Sequence, residues 1–211
     1  MAGNTRNLYL GSVGVGTTAP YQNVQAVSLV DSSGQQVFSL NGGSSVSLSV
    51  SGNSASPIVT FTRPANTTPY DASDVIGSDS TANLEATGAG VSNSLIQILS
   101  ASLIMNATSV PSGFATARIH VWDSAPTAIS DNAVFSAAAA DRSKYCGYID
   151  MAAIQAIGGG FCWTQGDYVG RSIRLTATSF YFNIALSGAS GFTPASASEF
   201  SVRFHCVEVG A

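Results

Sequence analysis

From Ile58 onward the chain is a succession of runs rich in β-branched and aromatic residues: Ile58–Thr62, Leu95–Met105, Ala115–Trp122, Tyr145–Met151, Phe161–Thr164, Ser172–Thr178, Phe180–Leu186 and Phe200–Val209. These residue types suit a pleated, half-buried surface. Turn-forming stretches such as Val110-Pro-Ser-Gly113, Gly158-Gly-Gly160 and Gly188–Pro194 separate the runs. Short strands punctuated in this way predict an antiparallel sandwich or barrel, and the expected architecture is an all-β, jelly-roll-like β-sandwich body over residues 57–211. One short helix is expected after Asp150, an acceptable N-cap, because Met151, Ile154 and Ile157 would share a helical face. Residues 131–140 fit either a helical turn or a loop.

Residues 1–56 have a different character. Gly, Ser, Val and Asn dominate, and Arg6 and Asp31 are the only charges. Val24–Val30 and Gln35–Leu40 flank Asp31-Ser-Ser-Gly34, a loop with the glycine expected of a short hairpin. Ser45–Ser51 alternates strictly, with Val46, Leu48 and Val50 on one face and serines on the other, as in a half-buried strand. The segment is expected to be an extended arm or a small β module that needs a partner surface for stability. Gly52–Pro57 is the expected hinge.

Charge narrows the function. Only 9% of the 211 residues are charged, with one lysine, Lys144, and three glutamates, and the net charge is −4. Soluble domains usually carry about 25%. Seven arginines against twelve acidic residues leave no basic stripe for phosphates, so nucleic acid is not an expected partner. No run reaches the roughly 18 apolar residues of a membrane helix, and the polar start, Met1 to Asn7, lacks the apolar core of a signal peptide. The expectation is a chain made in the cytoplasm with no membrane partner. Cys146, Cys162 and Cys206, an odd and widely spaced set in apolar surroundings, read as reduced thiols. The sequons at Asn66 and Asn106 matter only in a secretory context.

Candidate chemical groups are sparse. His120 and His205 lie in apolar strand runs with no motif joining them to a nucleophile or carboxylate, which favours structural roles. Zinc ligation by His120, Cys146, Cys162, His205 and Cys206 is chemically allowed, but no ligand spacing supports it. A carboxylate pair for glycoside hydrolysis would come from Asp71, Asp74, Asp79, Glu85, Asp123, Asp131, Asp141, Asp150, Asp167, Glu199 or Glu208; most sit in apparent turns, where aspartate is common because it bonds nearby backbone. Gly11, Gly14 and Gly16 lack the lysine and helix of a phosphate loop. Trp122, Trp163, Tyr145, Tyr148, Tyr168, Phe180, Tyr181 and Phe182 could form a sugar-stacking platform, but strand aromatics more often serve a core or subunit interface. Arg171 and Arg174 fall on opposite strand faces. No catalytic, cofactor or metal residue is therefore assigned, and the chain is not expected to be an enzyme.

The segment Phe61-Thr-Arg-Pro-Ala-Asn-Thr-Thr-Pro-Tyr-Asp-Ala-Ser-Asp-Val-Ile-Gly77 resembles the opening of a group of tailed-bacteriophage structural proteins with an Arg-Pro, Thr, Tyr, Asp-Val-Ile/Val-Gly pattern. These have β-sandwich bodies and no known catalytic residues, and some coat the capsid as decoration, or cement, proteins. Separately, Leu10-Gly-Ser-Val-Gly-Val-Gly-Thr-Thr-Ala-Pro20 resembles an element of trimeric phage fibre proteins, though it occurs once and without a repetitive shaft.

The resemblances imply a virion protein of the capsid surface, trimeric and bound to the major capsid protein. The apolar side chains around the fibre-like element, Leu8, Tyr9, Leu10, Val13, Val15 and Tyr21, are then expected to carry the partner contact. Low charge suits this role, because few Lys and Glu need be stripped of water when a broad surface is buried. The rival expectation is a tail or head fibre that contacts host-surface glycan.

Overall fold

The computed structural model describes residues 37–40, 44–47, 54–77, 83–168, 172–188 and 191–210. The chain divides into two units, Met1–Val50 and Ser51–Ala211. In the first, β1 (Val37–Leu40) pairs antiparallel with β2 (Ser44–Ser47), Phe38 opposite Val46. β1 falls within the expected run Gln35–Leu40, and β2 overlaps the expected run Ser45–Ser51 from Ser45 to Ser47. Val24–Val30, the turn at Asp31–Gly34 and the proposed contact residues Leu8, Tyr9, Leu10, Val13, Val15 and Tyr21 lie outside the described residues.

The second unit is a sandwich of two antiparallel sheets. In chain order its strands are β3 (Ser54–Ala55), β4 (Ile58–Thr62), β5 (Val75–Ile76), β6 (Leu84–Thr87), β7 (Leu95–Met105), β8 (Thr116–Trp122), β9 (Tyr145–Asp150), β10 (Gln155–Gly158), β11 (Phe161–Asp167), β12 (Ser172–Arg174), β13 (Ser179–Ser187) and β14 (Glu199–Gly210). One sheet runs β10-β11-β7-β14, with β12 continuing along the β7 edge beyond β11 and with β3 and β4 sharing the far side of β14. The other runs β13-β8-β9, with β5 and β6 sharing the free side of β13.

Numbering β4, β6, β7, β8, β9, β11, β13 and β14 as first to eighth, the sheets read first-eighth-third-sixth and second-seventh-fourth-fifth. That order is the double Greek key of a jelly roll, which gives the expected jelly-roll-like sandwich a strand order that the sequence left open. Long-range pairing dominates: the last strand, β14, lies beside β4 and β7.

Alternation along the strands fills one continuous core between the sheets. Ile96, Ile98, Leu103, Phe200, Val202 and Phe204 come from the first sheet, and Ile119, Val121, Phe180, Phe182 and Ile184 from the second; all are essentially inaccessible to solvent. Phe204 makes edge-on contacts with Phe180 and Phe182, at 4.9 and 5.0 Å between centroids, so aromatic quadrupoles bridge the two layers. Cys162 and Cys206 are buried and Cys146 is half-buried, and no disulfide joins the three. Burial pushes the Cys206 thiol up to about 12, which leaves it protonated at neutral pH.

Two expectations are corrected. Met151 to Ile154 are not helical, and Gln155–Gly158 is a strand paired with β11. Met151 and Ile154 are buried but Ile157 is 53% exposed, so the three do not share one buried face. The free edge of β11 supplies backbone partners that override a short periodic signal, and positive φ at Gly158, Gly159 and Gly160 makes the tight return. The expected hinge at Gly52–Pro57 also contains structure: β3 pairs with Cys206 and Val207, and the Pro57 carbonyl accepts a hydrogen bond from the Phe204 amide. The stretch at 131–140 is irregular until residue 139, where a short 3-10 helix, Ala139–Lys144, begins.

Candidate functional site

The two outer faces of the sandwich differ. Outside the β13-β8-β9 sheet, Val75, His120, Trp122, Asn183 and Ala185 are all buried although they point away from the core. The β8–β9 connection, residues 123–144, covers them. The Phe135 ring stacks on His120 at 3.7 Å, and backbone bonds from Val75 to Ala133 and from Phe135 to Ser73 fasten the connection to β5. The Trp122 indole donates to Asn183 Oδ1 at 2.9 Å, and His120 Nδ1 lies 2.9 Å from the Tyr145 hydroxyl. Asp141 anchors the far end of the connection: it accepts from Lys144 Nζ and the Thr127 amide, which together hold its carboxyl down to about 2.

His120 is thus buried beneath its own chain. Burial, followed by the positive charge of Arg118, pushes its pKa down to about 4, with Asp150 opposing weakly. The unfolded chain, with an ordinary value of about 6.5, binds this proton first as pH falls. Stability from a neutral His120 is therefore complete above about pH 6.5 and drains away toward pH 4. Urea midpoints should fall across that window, and His120→Gln should flatten the slope there. Any drop from Asp141 comes later, between about pH 4 and 2. An unchanged slope in the variant would assign the pH response to other groups.

Outside the β4-β14-β7-β11 sheet the face is open. Ile58, Thr60, Thr62, Leu99, Phe161, Gln165, Glu199, Arg203 and His205 are exposed, and Ile104, Trp163 and Ser201 half-exposed. Cross-strand register arranges them in rows: Thr60, Ser201, Ile104, Trp163 and Gln155; then Ile58, Arg203, Ser102 and Gln165. On the other side of the first row, Glu199 stands opposite Thr62 and its carbonyl accepts from the Asn106 amide. Ile104, Asn106, Phe161, Glu199 and Ser201 line a shallow depression of about 240 Å³. Among the described residues neither Glu199 nor Arg203 makes an ion pair. Apolar and small hydroxyl side chains with few charges make a face that sheds water cheaply.

The remaining candidates are dispersed. His205 is exposed on the open face while Cys206, its neighbour, is buried. Among the described residues no three of His, Cys, Asp and Glu gather as a metal site requires. Tyr148 is 46% exposed on β9, with the Arg118 guanidinium 3.9 Å above its ring and ion-paired to Asp150 at 2.7 Å. Phe180 and Phe182 belong to the core, and Trp163 to the open face.

The segment Phe61–Gly77 builds a buried polar clasp. Arg63, inaccessible to solvent, donates from Nε to the Tyr70 hydroxyl at 2.8 Å, from its terminal nitrogens to the carbonyls of Asn66 and Ala195 and to Asn66 Oδ1, and ion-pairs with Asp131 at 3.5 Å. The Tyr70 hydroxyl donates to Asp131 Oδ1 at 2.6 Å, and the Gly77 amide reaches the same oxygen. Burial and the Asp131 carboxylate raise the Tyr70 pKa well above that of a free phenol. The clasp ties the β4–β5, β8–β9 and β13–β14 connections together. No local pattern in the sequence marks Asp131 for this role, since its partner lies 68 residues away.

Compared with known protein families, curated proteins and solved structures, the chain matches none.

Proposed function

We propose that this chain is a structural virion protein: a decoration, or cement, protein that binds the assembled head of a tailed phage and strengthens it by bridging capsomers. The open face of the β4-β14-β7-β11 sheet carries the reading. One sheet of this jelly roll is sealed by its own connection, whereas the other presents a broad, weakly charged surface of the kind that other protein covers. The phage-like segment Phe61–Gly77 supports it from the sequence side, and its residues serve the packing of the body. The mechanism is mass action: a ligand that binds only the assembled shell stabilises that state. Residues 1–50 act as the anchoring arm, with Leu8, Tyr9, Leu10, Val13, Val15 and Tyr21 as its contact side chains, and the protein assembles as a homo-oligomer, a trimer at three-fold or quasi-three-fold positions.

Electron microscopy of virions containing this chain tests the assignment. Ordered density over capsomer junctions is the expected result, and density confined to a tail or fibre would sink it. Deleting residues 1–50, which spares β3, should abolish binding to assembled heads while leaving the melting curve of the body intact. Equal binding by the truncated and full chains would remove the arm from the mechanism.

A further inference from the structure

We infer that the open sheet face is a self-complementary interface that pairs two copies of this chain about a two-fold axis. The axis would lie in the interface along the row Ser201, Ile104 and Trp163. Rotation about such an axis turns the sheet over and reverses its strands, so each residue of that row meets its own counterpart. The rows on either side exchange places. Arg203 of one copy then faces Glu199 of the other, and the reverse contact is made by symmetry, as an isologous interface demands.

The chemistry on β14 fits this operation. Glu199 and Arg203 are exposed, carry opposite charge and flank Ser201 at equal spacing, about 13 Å apart at strand rise. That distance is too long for them to pair within one chain. Beside Glu199 lies the depression lined by Ile104, Asn106, Phe161 and Ser201, open on the face that the second copy would cover. An arginine entering it lays its aliphatic stem on Ile104 and Phe161 and brings its guanidinium to the carboxylate. Knob and hole thus occur once each per chain and on opposite sides of the proposed axis.

The extent of the face is also sufficient. Five strand positions at about 4.8 Å by the eleven residues of β7 at about 3.4 Å per residue give a face of at most roughly 900 Å². Stable interfaces bury about 800 Å² per partner. Hydroxyls at Thr60, Ser102 and Ser201 let a second sheet approach to the usual ~10 Å, with strands within about 30° of antiparallel.

This inference rests on reading the face as a protein contact but not on the capsid assignment. Native mass spectrometry of the full chain should show an even number of subunits: two, or six where the arm also makes trimers. Arg203→Glu and Glu199→Arg should each place like charges in both knob-and-hole contacts, raise the dissociation constant across the face at least tenfold and halve the mass. The double variant Glu199→Arg/Arg203→Glu should restore the wild-type mass. Ile104→Lys, on the axis, should halve it without a rescuing partner. Circular dichroism melts unchanged from wild type show that these outward-facing substitutions leave the fold intact. A wild-type chain with an odd subunit number, single variants of undiminished mass, or a folded double variant that stays dissociated would each overturn the two-fold arrangement. Virion density over capsomer junctions would leave the capsid assignment standing in any of those cases.

Discussion

Arg63→Ala is expected to destabilise the sandwich by about 3–5 kcal/mol, the usual cost of removing one partner from a buried charge pair. The side chain makes no solvent contact, and Asp131 is nearly as enclosed. Its loss strips the ion-pair partner from Asp131, leaves the Asn66 and Ala195 carbonyls short of a donor, and opens a void beneath the Tyr70 ring that stacks on Phe192. For a body of this size each kcal/mol lowers the melting temperature by about 2–4 °C, so a fall on the order of 10 °C should be seen in a thermal scan. Asp131→Asn should cost less, because the amide oxygen still accepts from Tyr70 and Gly77. The two substitutions combined should cost less than their sum, as expected for groups in one network. A loss below about 1 kcal/mol for Arg63→Ala would mean that the three connections are held by their backbone bonds alone.

The clasp also shows what was legible in the chain. Eight strands could be read because each β-branched or aromatic run carries its own strand signal, whether it lies inside a sheet, as β7, β8, β13 and β14 do, or at an edge, as β4 and β9 do. Leu95–Met105 and Ile58–Thr62 have the bounds their composition suggested. Val75–Ile76 and Leu84-Glu-Ala-Thr87 were not legible: two to four residues carry no period, and they are strands only because β13 offers an unpaired edge. Met151, Ile154 and Ile157 carried a helical spacing over seven residues, too short a window to separate a helix from a buried bend followed by an edge hairpin. Low charge led only to the expectation of protein contact, and no run shows which face of the sandwich is left open. Which sheet remains uncovered depends on where residues 123–144 fold, and no local pattern in Ser124–Ala138 announces that they lie over His120 and Trp122.

Gly166→Ala should be nearly as damaging as the loss of Arg63, through close approach rather than charge. Gly166 lies in β11 opposite Ala101 of β7, where the chain has just crossed from β9 in one sheet to β10 and β11 in the other. Thr164 Oγ1 donates to the Ala152 carbonyl and the Ala152 amide donates to Gln165, which draws the end of β9 onto β11. A Cβ on residue 166 would meet the Asp150 carbonyl oxygen at 2.3 Å and Ile149 Cγ2 at 2.8 Å. The nearest obstruction is backbone, so relief requires the crossover to move, and with it Ile149, which is fully buried in the core. Overpacking in a core costs about 1–3 kcal/mol when side chains can yield; here the expected cost is about 3 kcal/mol or more, read as a lower urea midpoint. Gly77→Ala supplies the comparison. A Cβ there would have its closest neighbour, the Asp131 amide nitrogen, at 3.7 Å, an ordinary contact, so the substitution should shift stability by no more than about 0.5 kcal/mol. Equal effects at the two glycines would mean that the strand crossing at Asp150 is looser than its geometry indicates. A large effect confined to Gly166 would identify that crossing as the point where the two sheets are locked in register.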